Sequence, residues 1–200
     1  MDHSHTDTAL QTPALDHLFA DWADGDREAL NQIMPLVIDD IYAMAAGRFS
    51  SERVDHTLQP TALVNELYLR LVNQKDTPKN RLHFFATAAL TIKSILIDHA
   101  RRKSALKAGR KAGWPERDDV FADEDSALIC DDMLALNQAL NHLERADAEL
   151  ARIVHLRFFL GLTFDEIGAL LGHGRKWVRR RWELARAMLL LDLETQGDAA

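Results

Sequence analysis

Cysteine is almost absent, with Cys130 the only one in 200 residues. A lone thiol closes no intramolecular disulfide and builds no cysteine-rich zinc site, so the chain reads as a protein of a reducing compartment, the cytoplasm. Histidine does not fill the gap. His3 and His5 flank Ser4 in a polar tail, and His83 and His99 lack a second ligand at metal spacing, so neither a metal nor a cofactor is expected. No run reaches the roughly 20 apolar residues that span a bilayer, because the densest apolar stretch, 84–100, is broken by Lys93 and Asp98. Residues 1–13 carry Asp2 and Asp7 but neither a basic stretch nor an apolar core, which excludes a secretory signal and leaves a loose tail. A soluble protein is expected. There is no glycine loop to cradle phosphate and no Ser–His–Asp or Cys–His setting, so an enzyme is not expected. Alternating Val, Ile or Thr runs and internal repeats are missing as well, which argues against a sheet.

What remains is helical spacing and unevenly placed charge. A hydrophobic content of 47% over 200 residues suffices for one or two cores. The net charge of −7 taken alone opposes nucleic-acid binding, since affinity for phosphate comes from clustered Lys and Arg. The distribution reverses that reading. Arg101, Arg102, Lys103, Lys107, Arg110 and Lys111 form one basic block, and Arg175, Lys176, Arg179, Arg180, Arg181 and Arg186 form another, diluted only by Glu183. The acids concentrate between them: 116–132 holds eight acids against Arg117, a linker composition that would oppose DNA binding by the free chain. The expectation is an all-α chain of two small helical domains, 14–106 and 134–195, joined by an acidic linker at 107–133, with tails at 1–13 and 196–200. Predicted helices cover 14–23, 26–48, 61–74 and 83–106 in the first domain; the second opens with 134–143 and 146–159.

The passage after 159 is the most specific. Gly161 closes one helix, and Thr163 with Glu166 forms a capping box, each side chain satisfying a backbone donor. Leu162 and Ile167 are placed for a hydrophobic staple, with Phe164, Ile167, Leu170 and Leu171 facing inward and Gly172 as the stop. After Gly172–His173–Gly174, the residues Val178, Trp182, Ala185 and Leu189 are spaced by four, three and four, one inward face of a second helix. Lys176, Arg179, Arg180 and Arg186 then point outward, with Arg175 and Trp177 near the start. A helix lying in the major groove presents its N-terminal residues to base edges in this way.

With those residues in view, LRFFLGLTFDEIGALLG followed by VRRRWELARAMLLLDL resembles region four of sigma factors. DHTLQPTALVNELYLRLV, HFFATAALTIKSILIDHARRKSALKAGR and the GDREAL at 25–30 resemble region two of the extracytoplasmic-function (ECF) branch of that family. The resemblance implies a factor that binds core RNA polymerase and directs promoter recognition, DNA opening and transcription initiation. It implies that Asn65, Glu66, Leu69, Arg70 and Asn73 dock on the clamp helices of the largest polymerase subunit. Leu69 is compatible, since Leu63, Leu67 and Leu71 point to the other side. Lys79, Asn80, Arg81, Lys93, Arg101, Arg102 and Lys103 would hold the opened minus-ten strand, while Phe84, Phe85 and Ile92 read as core. Thr163, Arg175, Lys176, Trp177, Arg179, Arg180 and Arg181 would read the minus-thirty-five duplex. The implied partners are promoter DNA, the clamp helices, the flap of the second-largest subunit and an anti-sigma factor, with no membrane. Two departures stand out: Gly174 replaces a polar helix cap, and Trp177 replaces a small hydroxyl residue, reading either as a wedge against the preceding helix or as a contact to a thymine methyl. The alternative to a sigma factor is a stand-alone helix-turn-helix regulator that binds an operator as a dimer.

Overall fold

Leu15, Phe19 and Trp22 recur at intervals of four and three, and all three side chains are buried, which makes the first segment an amphipathic helix docked by one face. The same logic runs along the computed structural model, which describes residues 13–49, 60–74, 78, 80–111 and 124–197. Among the described residues there are eight helices and no strand: α1 Pro13–Ala23, α2 Arg27–Phe49, α3 Pro60–Val72, α4 Arg81–Lys111, α5 Glu124–Ala146, α6 Ala148–Phe159, α7 Phe164–Leu171 and α8 Arg175–Gly197. The protein is all-α, as its periodicity predicts.

The first four helices share an aromatic core. Phe84 of α4 lies 5.0 Å from Phe19 and 5.7 Å from Trp22, centroid to centroid. The α3 leucines Leu63, Leu67 and Leu71 are buried beside them in the same cluster. Asp26 opens α2 by accepting the backbone N–H of Glu28 at 2.8 Å, a capping bond of the kind that contributes about 1 kcal/mol. Tyr68 of α3 donates its hydroxyl hydrogen to Asn31 of α2 at 2.7 Å. The last four helices pack α8 against α5, α6 and α7. Asp147 caps α6 by accepting the N–H groups of Glu149 and Leu150, each at 3.0 Å.

The two halves meet at α4. Its Phe84, Ala88, Ile92 and Ile95 side is buried in the aromatic core. Lys93, Ile97 and Ala100, at intervals of four and three on the opposite side, are buried too. Lys93 on that second side reaches α5, α4 contacts both α5 and α6, and buried apolar residues of both halves, Ile97 and Ala100 not among them, form one continuous cluster. The stretch expected as a linker, 107–133, includes helical residues at both ends. Residues 107–111 complete α4 and 124–132 form the first turns of α5, leaving 112–123 outside the described residues. Acids at a helix N-terminus are favoured by the helix dipole, so Glu124 and Asp125 suit the start of α5 where their density alone suggests a linker.

His155 of α6 is buried at 4% exposure, and its Nε2 has no hydrogen-bond partner among the described residues. Burial first, and the Lys93 ammonium second, push its imidazole down to about 4. A folded value below the unfolded value means that the unfolded chain takes up the proton first. Stability from the neutral ring is therefore complete above about pH 6.5 and is lost as pH falls toward 4. In thermal unfolding scans across pH, the wild type should lose on the order of 3 kcal/mol through this window relative to His155→Leu. Parallel pH curves for the two proteins would show that the ring titrates normally.

Candidate nucleic-acid interface

The turn between α7 and α8 is built by close backbone packing. Thr163 Oγ1 accepts the N–H of Glu166 at 3.2 Å, and Glu166 Oε2 accepts the N–H of Thr163 at 2.6 Å, so both sides of the capping box are present. Leu162 and Ile167 are buried as the staple requires. At the far end Gly172 adopts φ 73°, a left-handed conformation that suits glycine, and its N–H returns to the carbonyl of Gly168. The N–H of His173 shares that acceptor at 2.9 Å. The turn passes so near α7 that a Cβ on Gly168 would sit 2.5 Å from the backbone oxygen of His173. Arg157 of α6 ties the assembly from below: it donates to the carbonyl of Leu162 at 2.7 Å and lies 4.8 Å over the Phe164 ring. Gly174 caps α8 with its backbone alone, its carbonyl accepting the N–H groups of Trp177 and Val178 at 2.9 and 3.2 Å.

This frame fixes which face α8 shows to solvent. Val178 and Ala185 are fully buried and Leu189 nearly so, with Trp182 half-buried, so the inward face is the expected one. Arg175, Lys176, Arg179, Arg180 and Arg186 are exposed. Arg175 pairs with Asp165 of α7 at 3.1 Å, and Arg179 pairs with Glu183 one turn on at 2.9 Å. Both pairs are solvent-exposed and cost little to break. Lys176, Arg180 and Arg186 make no ion pair among the described residues. Beyond the cationic stretch, Leu184, Met188 and Leu191 are exposed and continue the side of α8 that carries Lys176 and Arg180.

Two residues of the expected reading face sit differently. Arg181 turns back to the start of α6, 3.6 Å from Asp147 and 3.2 Å from Glu149, and is half-buried there. Trp177 is also half-buried; its ring stacks on His173 at 3.8 Å, with the Arg181 guanidinium 5.2 Å over it. The indole thus braces the turn. The partners of Arg181 were not legible in spacing, since Asp147 and Glu149 lie at the start of another helix, as its cap and in its first turn. His173 did stand one helical turn before Trp177, the available hint.

The residues expected at an opened strand are divided. Asn80 caps α4, its Oδ1 accepting the N–H of His83 at 2.9 Å. Arg81 is half-buried on the first turn of α4. Arg101 and Arg102 are exposed near its far end, with Arg102 Nε bonded to the Asp98 carbonyl at 3.2 Å. Lys79 and the Lys103 side chain lie outside the described residues. Lys93 is not on this surface: it is buried at 8% exposure and donates to Asn141 Oδ1 of α5 at 3.1 Å.

A third surface lies between α3 and α4. Leu69, 54% exposed, and Leu90, 43% exposed, stand on an open groove together with Glu66, Arg70, Asn73, Thr87 and Ser94. Arg70 organises it by donating to Glu66 at 2.9 Å, Ser94 at 3.0 Å and Asp98 at 3.0 Å. The hydrogen bond to Glu66 is the main reason its guanidinium holds its proton more tightly than usual. Asn65 is exposed on the same helix. The α4 side of this groove was missed because Leu90 falls inside an apolar run that reads as wholly core.

The chain matches the model of the ECF sigma factor family over residues 14–195 and belongs to that family. It therefore acts in transcription initiation as a regulatory, DNA-binding protein rather than an enzyme. No curated protein and no solved structure matches it. Among the described residues no helix is long and apolar enough to cross a membrane, and no group of three or more His, Cys, Asp or Glu is placed to hold a metal ion.

Gly168→Ala should destabilise the protein by about 1–3 kcal/mol in chemical denaturation, as overpacking against a fixed backbone does. Thr163→Ala, which removes one half of the capping box, should cost about 1 kcal/mol. If Gly168→Ala unfolds at the wild-type denaturant concentration, the turn is looser than described.

Proposed function

We propose that the chain binds core RNA polymerase and directs it to promoters, with α8 reading the minus-thirty-five duplex and the first half holding the opened minus-ten strand. One observation carries the reading: the exposed Lys176, Arg180 and Arg186 project from a helix whose start is set by a capped, glycine-closed turn. Such a helix offers phosphate neutralisation and a groove-sized edge together, and its N-terminal dipole adds to the attraction. Arg175 and Arg179 join it by exchanging exposed carboxylate partners for phosphate. Trp177 and Arg181 serve as supports that aim the helix, with Thr163 anchoring its neighbour.

In this reading the modules are 14–106 and 134–195, and the protein works in the cytoplasm beside polymerase. The Leu69–Leu90 groove takes the clamp helices of the largest subunit, with Asn65, Glu66, Arg70 and Asn73 as its polar surround. The exposed Leu184, Met188 and Leu191 take the flap of the second-largest subunit. For the opened strand, Asn80, Arg81, Arg101 and Arg102 supply the cationic and polar track that unstacked nucleotides require, together with Lys79 and Lys103.

Transcription from a promoter fragment by core polymerase plus the purified protein, with start sites mapped, tests this directly. Lys176→Ala/Arg180→Ala should lower the yield and reduce the salt slope of polymerase-dependent DNA binding by about 2. Leu69→Arg should abolish assembly with core polymerase while leaving helicity unchanged. Tight operator binding without polymerase, and no specific start with it, would favour a stand-alone dimeric regulator instead.

A further inference from the structure

The Arg70 guanidinium is committed to its own protein. Each of its three nitrogens makes a hydrogen bond: Nε donates to Glu66 one turn back on α3 at 2.9 Å, Nη1 to Ser94 Oγ of α4 at 3.0 Å, and Nη2 to Asp98 of α4 at 3.0 Å. Its side chain is also less exposed than either carboxylate it holds, at 31% against 43% for Glu66 and 41% for Asp98. Ser94 and Asp98 are four residues apart, so they stand one above the other on α4, roughly 6 Å along its axis. A planar fork that bonds both grips α4 at two points. One point of contact would let α3 roll or slide slightly on the apolar packing beneath it; two points in one plane remove that freedom.

This register matters because the groove is shared between the two helices. Leu69 adjoins Arg70 on α3, and Leu90 stands one turn before Ser94 on α4; both are exposed and both line the groove. Their spacing therefore follows from how α3 sits on α4. Asp98 lies one turn beyond Ser94, past the residues that line the groove, and is half-buried. An isolated exposed ion pair contributes little, whereas two carboxylates sharing one planar guanidinium form a network of fixed geometry. Lysine in that place would supply the charge without the fork.

We propose that Ser94 and Asp98 are positioning residues for polymerase docking: acting through the Arg70 fork, they lock α3 against α4 and so set the Leu69–Leu90 spacing that the polymerase grips. The inference rests on the reading of that groove given above and adds to it two residues of α4. A groove held in its docking geometry before the partner arrives loses less freedom on binding.

Titrating the full chain, labelled at its N-terminus, with core RNA polymerase and following fluorescence anisotropy measures assembly; transcript yield at saturating polymerase measures what comes after it. Arg70→Lys keeps the charge and loses the fork, and should weaken assembly roughly tenfold. Asp98→Ala, outside the groove, should weaken it roughly fivefold. Added to Arg70→Lys it should cost far less, because both changes remove the same lock. At saturating polymerase each variant should yield transcript at the wild-type level, since the lock serves docking alone. Asp26→Ala, which removes the cap of α2, controls for stability: it should lower the unfolding midpoint and assemble as the wild type does. Wild-type assembly by Asp98→Ala or by Arg70→Lys would overturn the lock, as would additive losses in the double variant or an equal loss in Asp26→Ala. Circular dichroism checks that each variant is folded; if Arg70→Lys is not, Asp98→Ala decides. Leu69→Arg separates the two claims. Normal assembly by that variant removes the groove reading itself, whereas its failure to assemble beside a wild-type Asp98→Ala removes only the lock.

Discussion

Helix α4 is buried on two opposite sides, and the rest of the molecule is arranged around that constraint. One side, through Phe84, Ala88, Ile92 and Ile95, completes the aromatic core with Phe19 and Trp22. On the other, Ile97 and Ala100 are buried and Lys93 reaches Asn141 of the second half. Exposed residues of the same helix, Leu90 and Ser94, form one wall of the groove that Arg70 organises. A single rigid element thus connects the proposed polymerase surface, the proposed single-strand track and the junction between halves. Its two buried sides differ in kind. The aromatic side is apolar and closely packed; the side carrying Lys93 contains a desolvated charge and a neighbouring buried imidazole.

The helix-turn-helix follows a different economy, in which backbone geometry does most of the positioning. Gly168 allows the turn to pass against α7, Gly172 supplies the left-handed residue, and the Thr163–Glu166 box sets the first turn of α7. Side chains then brace α8 from outside: Arg157 beneath α7, and the Trp177–His173 stack with Arg181 anchored on Asp147 and Glu149. Binding residues on rigid, braced elements lose little entropy when a ligand arrives. Lys176, Arg180 and Arg186, which make no ion pair among the described residues, are the cations whose neutralisation of phosphate would release counterions without first breaking such a pair.

Local signals were strong wherever one face of a helix decides its fate. The leucines of α3, the capping box of α7 and the inward face of α8 were all legible, because each depends on spacing within a dozen residues. Helix α5 was legible only in its second half. Eight acids between 116 and 132 read as linker by composition, whereas the helix dipole tolerates acids at a start, and α5 begins at Glu124. Lys93 was misplaced for a deeper reason: an isolated lysine in an apolar helix suggests an exposed cation, and nothing near it in sequence announces Asn141, whose oxygen accepts its bond. Arg181 follows the same rule, its carboxylates lying on the next helix but one. Pairings between distant elements decide which cations of a basic block are free, and spacing does not encode them.

The central claim is that two surfaces of one helical chain act on two promoter elements only when polymerase holds them apart. Hydroxyl-radical footprinting of a promoter fragment, with the protein alone and with core polymerase added, tests it most directly. The account predicts little protection by the protein alone and two separate protected patches, upstream and downstream, with polymerase. A single strong, symmetric footprint formed without polymerase and unchanged by it would contradict the account.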